Sequence, residues 1–397
     1  MPRIKNLKFD ILFILSILII SILLFYPKGL IVENFYGPGD ATTYKKLAIK
    51  LATEKIYAED FDNLRSWRPP GYPFYLSVFY FFFGENGFKI VPYINFTFYN
   101  ISFYILFNIS NLFFTKENSF FFVLTAFLFN CYKFNEILII NYSETLYFFL
   151  ICLFLFFLLR SFLKKEKFSF ILSFLILGIS YMVRGPSLAF GIILIFFIFF
   201  FDKTFSKKII LLSFFVFLIP SVTWIVRNYY VLGFGPHLYT ANYILFYYGL
   251  FNFLEAEKID EMVKGLDDLG KINALKPLIF QKIQEDYIGT LIHFFRKIIK
   301  HIYYHNTYIT SFILLNFLIY AYFKDKNNFY NFINSKCVKI VFLCICFSII
   351  FIMINSLAQF SWRHSLIPSI IKILFEVFLI FFFIKYKSYV FFKIIKS

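Results

Sequence analysis

Long apolar segments alternate with short polar segments along most of the chain. A transmembrane helix needs about 20 mainly apolar residues to cross the hydrocarbon core. An apolar run from Tyr72 to Phe83 is too short to cross in this way. Longer runs predict ten transmembrane helices, at 9–26, 88–113, 119–140, 145–163, 168–184, 185–201, 209–226, 305–323, 338–356 and 364–385.

The positions of the positive charges indicate that the run 72–83 does not cross. If it stays on one side, the basic loops share the opposite side, whereas the short loops on its own side contain only Arg184 and Arg363. If it crossed, every basic cluster after the first would lie outside, against the positive-inside rule. We therefore predict a re-entrant or interfacial helix that enters from the outer face. The first span follows Arg3, Lys5 and Lys8, and it is expected to be a retained signal anchor with a cytoplasmic N-terminus.

Two long segments, 27–87 and 227–304, are predicted to be outer loops of a single membrane domain that covers 1–397. In the first, Asp40 occupies a helix N-cap position before apolar residues at spacings of three and four, which predicts a short amphipathic helix at the membrane surface. In the second, an apolar stripe from Ile288 to Ile302 predicts a longer interfacial helix.

Composition supports the membrane assignment. Hydrophobic residues make up 60% of the chain, which contains 65 Phe, and the mean hydropathy is +0.72. A formal net charge of +17 could suggest a nucleic-acid partner. The basic residues, however, cluster between the apolar segments, so they indicate topology, and no nucleic-acid partner is predicted.

Several polar residues converge on the outer boundary under this topology, although they are far apart in sequence. Each one alone is also explained as a solvated anchor at a helix end. Together, several arginines that face two carboxylates suit a phosphorylated lipid and a proton transfer. The set is Asp40, Arg68, Glu144, Arg184, Arg227, Arg363 and His364.

The two kinds of side chain have complementary chemistry. Arginine neutralises a departing lipid phosphate with a planar and permanently charged group. Attack by an acceptor hydroxyl calls for a carboxylate that takes its proton, and Asp40 fits that role, although an ordinary N-cap aspartate explains it as well. Pro69 and Pro70 are expected to be extended ahead of a helix, which holds Arg68 at the membrane edge.

Five motifs occur in the order of a known family. Gly39-Asp40 with Tyr44 and Ala48, followed by "RPPGYPFYLS", resembles the membrane glycosyltransferases with the C-type fold. The likeness is strongest to the lipid A aminoarabinose transferases and the protein O-mannosyltransferase-like bacterial enzymes. The later motifs are "NYSETLYFFL" at 141–150, "GISYMVRGPSLAF" at 178–190, "RNYYVLGF" at 227–234 and "SWRHSLIP" at 361–368.

The resemblance implies roles for these residues. Asp40 becomes the catalytic carboxylate and Glu144 the second acid of the site. Arg68 becomes the contact for the lipid phosphate. A divalent metal is left open, because Trp67 stands where some relatives have an acid. The remaining candidates for binding the lipid phosphate or the sugar are Tyr72, Arg184, Arg227, Arg363 and His364.

The resulting hypothesis is an all-α polytopic transferase in the cytoplasmic membrane, with its active site on the outer face. It takes a sugar from a polyprenyl-phosphate carrier, with inversion, and passes it to an envelope glycan, lipid or protein. A transporter or flippase of lipid-linked sugars is one alternative, and it predicts paired half-helices near the midplane. An O-antigen polymerase or ligase is another, but it leaves Asp40 and the Arg-Pro-Pro motif unexplained.

Overall fold

The computed structural model describes residues 2–25, 40–58, 68–139, 143–201, 204–232 and 261–290, together with Ile292 and Arg296. The predicted spans 305–323, 338–356 and 364–385 lie outside the described residues. So do two predicted site residues, Arg363 and His364, and most of the apolar stripe from Ile288 to Ile302.

The regular elements of the described residues are α-helices, which confirms the predicted fold class. In chain order they are α1 (Pro2–Phe25), α2 (Asp40–Thr53), α3 (Gly71–Phe83), α4 (Glu85–Asn111), α5 (Lys116–Ile139), α6 (Glu144–Lys164), α7 (Lys167–Val183), α8 (Pro186–Phe201), α9 (Lys207–Leu232) and α10 (Asp268–Glu285).

Several of these helices have the composition of membrane spans. In the described part of the chain, α4, α6 and α9 are long and apolar enough to cross a membrane. Shorter apolar helices cover Phe9–Leu23, Lys167–Val183 and Pro186–Phe200. Each predicted span from 9–26 to 209–226 coincides with a helix. The chain is therefore a multi-pass membrane protein, as predicted.

The apolar run after the two prolines forms α3, a helix of 13 residues. At 1.5 Å per residue it is about 20 Å long, shorter than the roughly 30 Å hydrocarbon core. One face packs against α2 and α4 and buries Tyr72 and Leu76, while Phe81 and Phe82 on the other face are exposed. Such an aromatic face suits the membrane interface, and the location of α3 there stays a prediction.

The helices approach one another closely where small or polar residues replace bulky ones. A Cβ added to Gly178 on α7 would lie 2.4 Å from the backbone oxygen of Phe217 on α9, so only glycine fits there. Between α1 and α4, the buried Ser21 hydroxyl donates to the Asn100 side-chain oxygen at 2.8 Å. Small residues and hydrogen bonds of this kind hold helices together where lipid removes the hydrophobic driving force.

Consecutive helices such as α6 and α7 run antiparallel, so the start of one helix and the end of the next lie at the same end of the bundle. Each of the two ends carries its own set of charges. We call the end where α6 begins and α7 ends the site end, and the other the opposite end. At the opposite end, Lys116 pairs with Asp10, and Arg160 Nε donates to Glu166 Oε2 at 2.9 Å. Two of the basic residues predicted to face the cytoplasm, Lys116 and Arg160, are thus held in ion pairs.

The second long loop differs from the sequence-based expectation in two respects. Helix α9 continues to Leu232, so Arg227 is helical and does not begin a loop. Helix α10 was not predicted, although Ile272, Leu275 and Ile279 are buried at helical spacing. The polar residues between these apolar positions, together with the internal Pro277, hid the helical spacing in the sequence.

Substituting Gly178 with Ala should destabilise the bundle, because the new methyl group meets a backbone carbonyl that cannot rotate away. Overpacking of this kind costs about 1–3 kcal/mol. The matched control is Gly191→Ala, whose methyl group would meet the ring edge of Phe217, a side chain that can adjust. Thermal unfolding in detergent should give the larger loss for Gly178→Ala, and equal losses would contradict this account of the α7–α9 contact.

Candidate functional site

The first two predicted site residues form an ion pair at the site end. Asp40 is the first residue of α2, and Arg68 lies just ahead of α3. Arg68 Nη2 donates to Asp40 Oδ1 at 2.6 Å, and both side chains are partly buried. The carboxylate also lies at a helix N-terminus, where negative charge is favoured. The predicted proximity of Asp40 and Arg68 is present in the structure.

The Pro-Pro-Gly sequence keeps Arg68 outside the helix, although not in the way predicted. Pro70 has φ −79° and ψ −17°, so it already has helical angles at the N-cap of α3. The expectation that both prolines are extended is therefore wrong for Pro70. Pro70 instead begins the turn, and its carbonyl accepts from Phe74 N at 2.9 Å.

Gly71 brings this segment against the end of α7. A Cβ added to Gly71 would lie 2.7 Å from the Met182 backbone oxygen and 2.8 Å from its carbon. A larger residue would push the start of α3 away from α7. This contact sets the distance between Arg68, three residues before Gly71, and Arg184, two residues after Met182.

A second ion pair joins Glu144 and Arg184. Glu144 begins α6 and Arg184 follows α7, so the antiparallel helices bring them together. Arg184 Nη1 lies 2.7 Å from Glu144 Oε1, and only 3% of the Glu144 side chain and 15% of the Arg184 side chain are exposed. Charges this deeply buried are tolerated when they are paired.

Hydrogen bonds between hydroxyl groups hold the turn from α7 to α8, which follows Arg184. Tyr147 and Ser187 have their hydroxyl oxygens 2.8 Å apart, and Ser180 donates to Ser187 at 2.8 Å. These three residues belong to α6, α8 and α7, and each lies about one turn from Glu144 or Arg184. The network was not predicted, because isolated serines in apolar helices are common and give no sequence signal.

Tyr44 on α2 joins the two ion pairs. Its side chain is buried, and burial raises the pKa of its hydroxyl above the ordinary value. Arg68 and Arg184 lower this pKa, whereas Asp40 and Glu144 raise it. All four charged groups therefore act electrostatically on one phenol, and the raised pKa keeps it protonated at neutral pH.

Tyr72 extends the site towards α4. Its ring meets the Tyr44 ring edge-on, with centroids 5.1 Å apart, and burial raises its pKa well above the ordinary value. The fully buried Tyr72 hydroxyl makes no hydrogen bond of normal geometry with the described residues. The nearby Asn95 side chain nevertheless lowers the pKa of this hydroxyl, against the effect of burial. Tyr75 donates to the Asn95 side-chain oxygen at 3.3 Å.

Arg227 makes different contacts from those expected of a phosphate ligand. Its Nη2 donates to the Tyr57 backbone oxygen at 3.1 Å, and its Nη1 donates to Asn228 Oδ1 at 2.8 Å. Its guanidinium also lies over the rings of Tyr57 and Trp224. Tyr57 and Trp224 were not predicted as site residues.

The acids of the site give no direct sign of a metal centre. Asp40 and Glu144 each contact an arginine. No group of three His, Cys, Asp or Glu side chains suited to a metal occurs among the described residues. Whether the protein uses a divalent metal stays open.

Replacing Glu144 with Gln should strongly destabilise the protein, because it removes the carboxylate that pairs with the buried Arg184. Removal of one partner of a buried pair costs about 3–5 kcal/mol. The double variant with Arg184→Gln should recover part of this loss. Thermal unfolding in detergent measures each variant.

The matched control for this experiment is Glu166→Gln at the opposite end, where the pair with Arg160 is more exposed. An exposed pair contributes about 0–1 kcal/mol. Equal losses for Glu144→Gln and Glu166→Gln would show that the pair at the site end is not effectively buried.

Comparisons with known proteins agree with the motifs. Residues 67–226 match the model of the dolichyl-phosphate-mannose-protein mannosyltransferase family. No curated protein sequence matches the chain. The matched region contains Arg68, Glu144 and Arg184.

Two solved structures are similar to the chain. ArnT from Cupriavidus metallidurans bound to undecaprenyl phosphate is 11% identical, with a TM-score of 0.55, and the match covers 92% of this chain and 59% of ArnT. The same enzyme in the apo state is 12% identical, with a TM-score of 0.44, and the match covers 95% of this chain and 78% of ArnT. The chain thus spans 59% of the first structure's length. The predicted resemblance is confirmed: residues 67–226 match the mannosyltransferase family, and the chain has the C-type fold of ArnT.

Proposed function

We propose that the protein is a glycosyltransferase that takes a sugar from a polyprenyl-phosphate carrier and passes it to an acceptor of the cell envelope. The reaction would occur at the outer face of the cytoplasmic membrane. The observation that carries this proposal is the presence of two carboxylate–arginine pairs at one end of an apolar helix bundle, where the close contact of Gly71 with Met182 joins the segments that carry Arg68 and Arg184. Such an end can receive a lipid phosphate from the membrane and a polar acceptor from water.

The carrier class is supported by the solved relative, which was crystallised with undecaprenyl phosphate. In the present chain, Arg68 is the proposed phosphate ligand. Its guanidinium lies at the edge of the bundle and is only partly buried, so a phosphate can reach it. Arginine suits this group because its planar donors match the phosphate oxygens in pairs.

Asp40 is the proposed general base. The acceptor oxygen would form a bond to the anomeric carbon of the sugar and lose its proton to the carboxylate. The bond from that carbon to the phosphate oxygen would break, and its electron pair would leave with the phosphate beside Arg68. Direct attack of this kind inverts the anomeric configuration.

The contact between Asp40 and Arg68 gives this mechanism an order. While Arg68 holds Asp40, the guanidinium occupies the carboxylate oxygen Oδ1 at 2.6 Å. A donor phosphate that takes the guanidinium would release the carboxylate towards the acceptor. Donor binding would thereby prepare the base for the reaction.

The second pair has a supporting role in this proposal. Glu144 holds Arg184 beside Tyr44, and Arg184 adds positive charge that favours the leaving phosphate. Tyr44 keeps its proton and can donate a hydrogen bond to the sugar or the phosphate. Tyr72, beside Tyr44, is a candidate for the sugar, and Arg363 and His364 remain predicted contacts for the phosphate.

The variant Asp40→Asn should lose sugar transfer while it still folds. The amide oxygen can still accept from Arg68, but the side chain can no longer take a proton. Loss of a general base lowers turnover by a factor of about 10²–10⁴. Mass spectrometry of envelope glycolipids and glycoproteins should find the sugar product in cells with the parent protein and little or none with Asp40→Asn.

The control is Asp10→Asn, which removes the aspartate of the ion pair at the opposite end and should keep the product. Normal product with Asp40→Asn would refute the assignment of the base. Purified protein that moves labelled lipid across a bilayer without transferring sugar would instead favour a flippase.

A further inference from the structure

A buried tyrosine holds the backbone of the Arg68 segment. The Tyr57 hydroxyl donates to the Arg68 backbone oxygen at 2.9 Å, and the Pro69 oxygen lies 3.3 Å from it. Tyr57 is only 5% exposed. These carbonyls precede α3, and the two prolines that follow Arg68 have no N–H groups to offer as local donors. The Tyr57 hydroxyl therefore supplies a hydrogen bond that the segment cannot make within itself.

Helix α9 in turn holds Tyr57. Arg227 Nη2 donates to the Tyr57 backbone oxygen at 3.1 Å, and the guanidinium carbon lies 5.6 Å from the centre of the Tyr57 ring. The Trp224 ring meets the Tyr57 ring edge-on at 5.1 Å and lies 4.7 Å from the guanidinium carbon. The three side chains are thus in mutual contact, with Tyr57 buried and Trp224 and Arg227 half-buried, and the cation–π contacts add to their attraction.

A further contact orients the guanidinium within this cluster. Arg227 Nη1 donates to Asn228 Oδ1 at 2.8 Å, and Asn228 is fully buried. Both terminal nitrogens of Arg227 therefore make contacts that direct it towards Tyr57. We call Tyr57, Trp224 and Arg227 the aromatic clamp.

From these contacts we infer that Tyr57 is a positioning residue for the donor phosphate and that Arg227 acts through it. The inference rests on the proposed function, in which Arg68 binds that phosphate. The clamp connects α9 to the Arg68 backbone, and the Arg68 side chain then reaches Asp40. It gives Arg227 an indirect role in place of the direct phosphate contact that the sequence motif implies.

Charge and geometry explain why such a device is useful. Arg68 precedes α3 and lies outside the helix, and in the proposed function its guanidinium has to exchange Asp40 for a phosphate. A backbone that moved with the side chain would lose the geometry of paired hydrogen bonds. The clamp holds the backbone still while the side chain changes partner.

The test is equilibrium binding of undecaprenyl phosphate to the full-length protein in nanodiscs, with undecaprenol as the probe that lacks the phosphate. Tyr57→Phe removes only the hydroxyl and keeps the ring against Trp224 and Arg227. We expect it to weaken binding of the phosphate by about fivefold, the effect of one neutral hydrogen bond. Binding of undecaprenol should match that of the parent, and the free energy of unfolding should fall by no more than about 1 kcal/mol, the contribution of one neutral hydrogen bond.

A double-mutant cycle separates the indirect role of Arg227 from a direct one. If Arg227 acts through Tyr57, Arg227→Gln weakens phosphate binding, and adding Tyr57→Phe weakens it little further. If Arg227 contacts the phosphate itself, the two losses multiply, and the inference is overturned. Tyr229→Phe, at an exposed tyrosine on the same helix, is the matched control and should bind like the parent.

The proposed function and the inference fail in different ways. A parent protein that binds undecaprenyl phosphate no better than undecaprenol would overturn the carrier assignment. A parent protein that prefers the phosphate, together with an equal preference in Tyr57→Phe, would overturn the positioning role alone.

Discussion

Charge at the end of an apolar helix bundle is stable only when an opposite charge lies in contact with it, and the candidate site is built on this constraint. Glu144 and Arg184 are too buried to keep their water, so each depends on the other. Asp40 and Arg68 are less buried and can exchange partners at lower cost. The two arginines are similarly buried, so the difference lies in the carboxylates: Glu144 is 3% exposed and suits a supporting role, whereas Asp40 is 27% exposed and is accessible.

Close backbone contacts bring these pairs to the same place. Gly71 lets the start of α3 touch the end of α7, and Gly178 lets α7 touch α9. Helix α7 is thus in contact with the segments that carry Arg68 and Arg227. Tyr44 is buried and senses the charges of both ion pairs, and burial raises the pKa of its hydroxyl.

Much of this architecture could be predicted from the sequence, because a membrane imposes strong rules on hydropathy and charge. The helices from α4 to α9 follow the apolar runs, and the convergence of Asp40, Arg68 and Glu144 follows from their common side. The choice of partners could not be predicted. That Glu144 selects Arg184, and that Arg227 faces Tyr57, depends on helix rotation and tilt, which hydropathy does not specify.

The expectations from the sequence failed at two places, the conformation of Pro70 and the existence of α10. Pro70 was expected to be extended, but a proline has the φ of a first helical turn and can begin α3 as well as precede it. Helix α10 was missed because only a narrow apolar stripe defines it. In both cases the deciding contacts come from other parts of the chain.

The aromatic clamp likewise depends on contacts between residues that are far apart in the sequence. Arg227 and Tyr57 are 170 residues apart, yet their contact determines how the Arg68 backbone is held. Neither α2 nor α3 alone can supply this support, because the hydroxyl donor lies after α2 and its anchor lies on α9. The proposed phosphate-binding geometry would therefore be a property of the assembled bundle, complete only when α9 has packed beside the first loop.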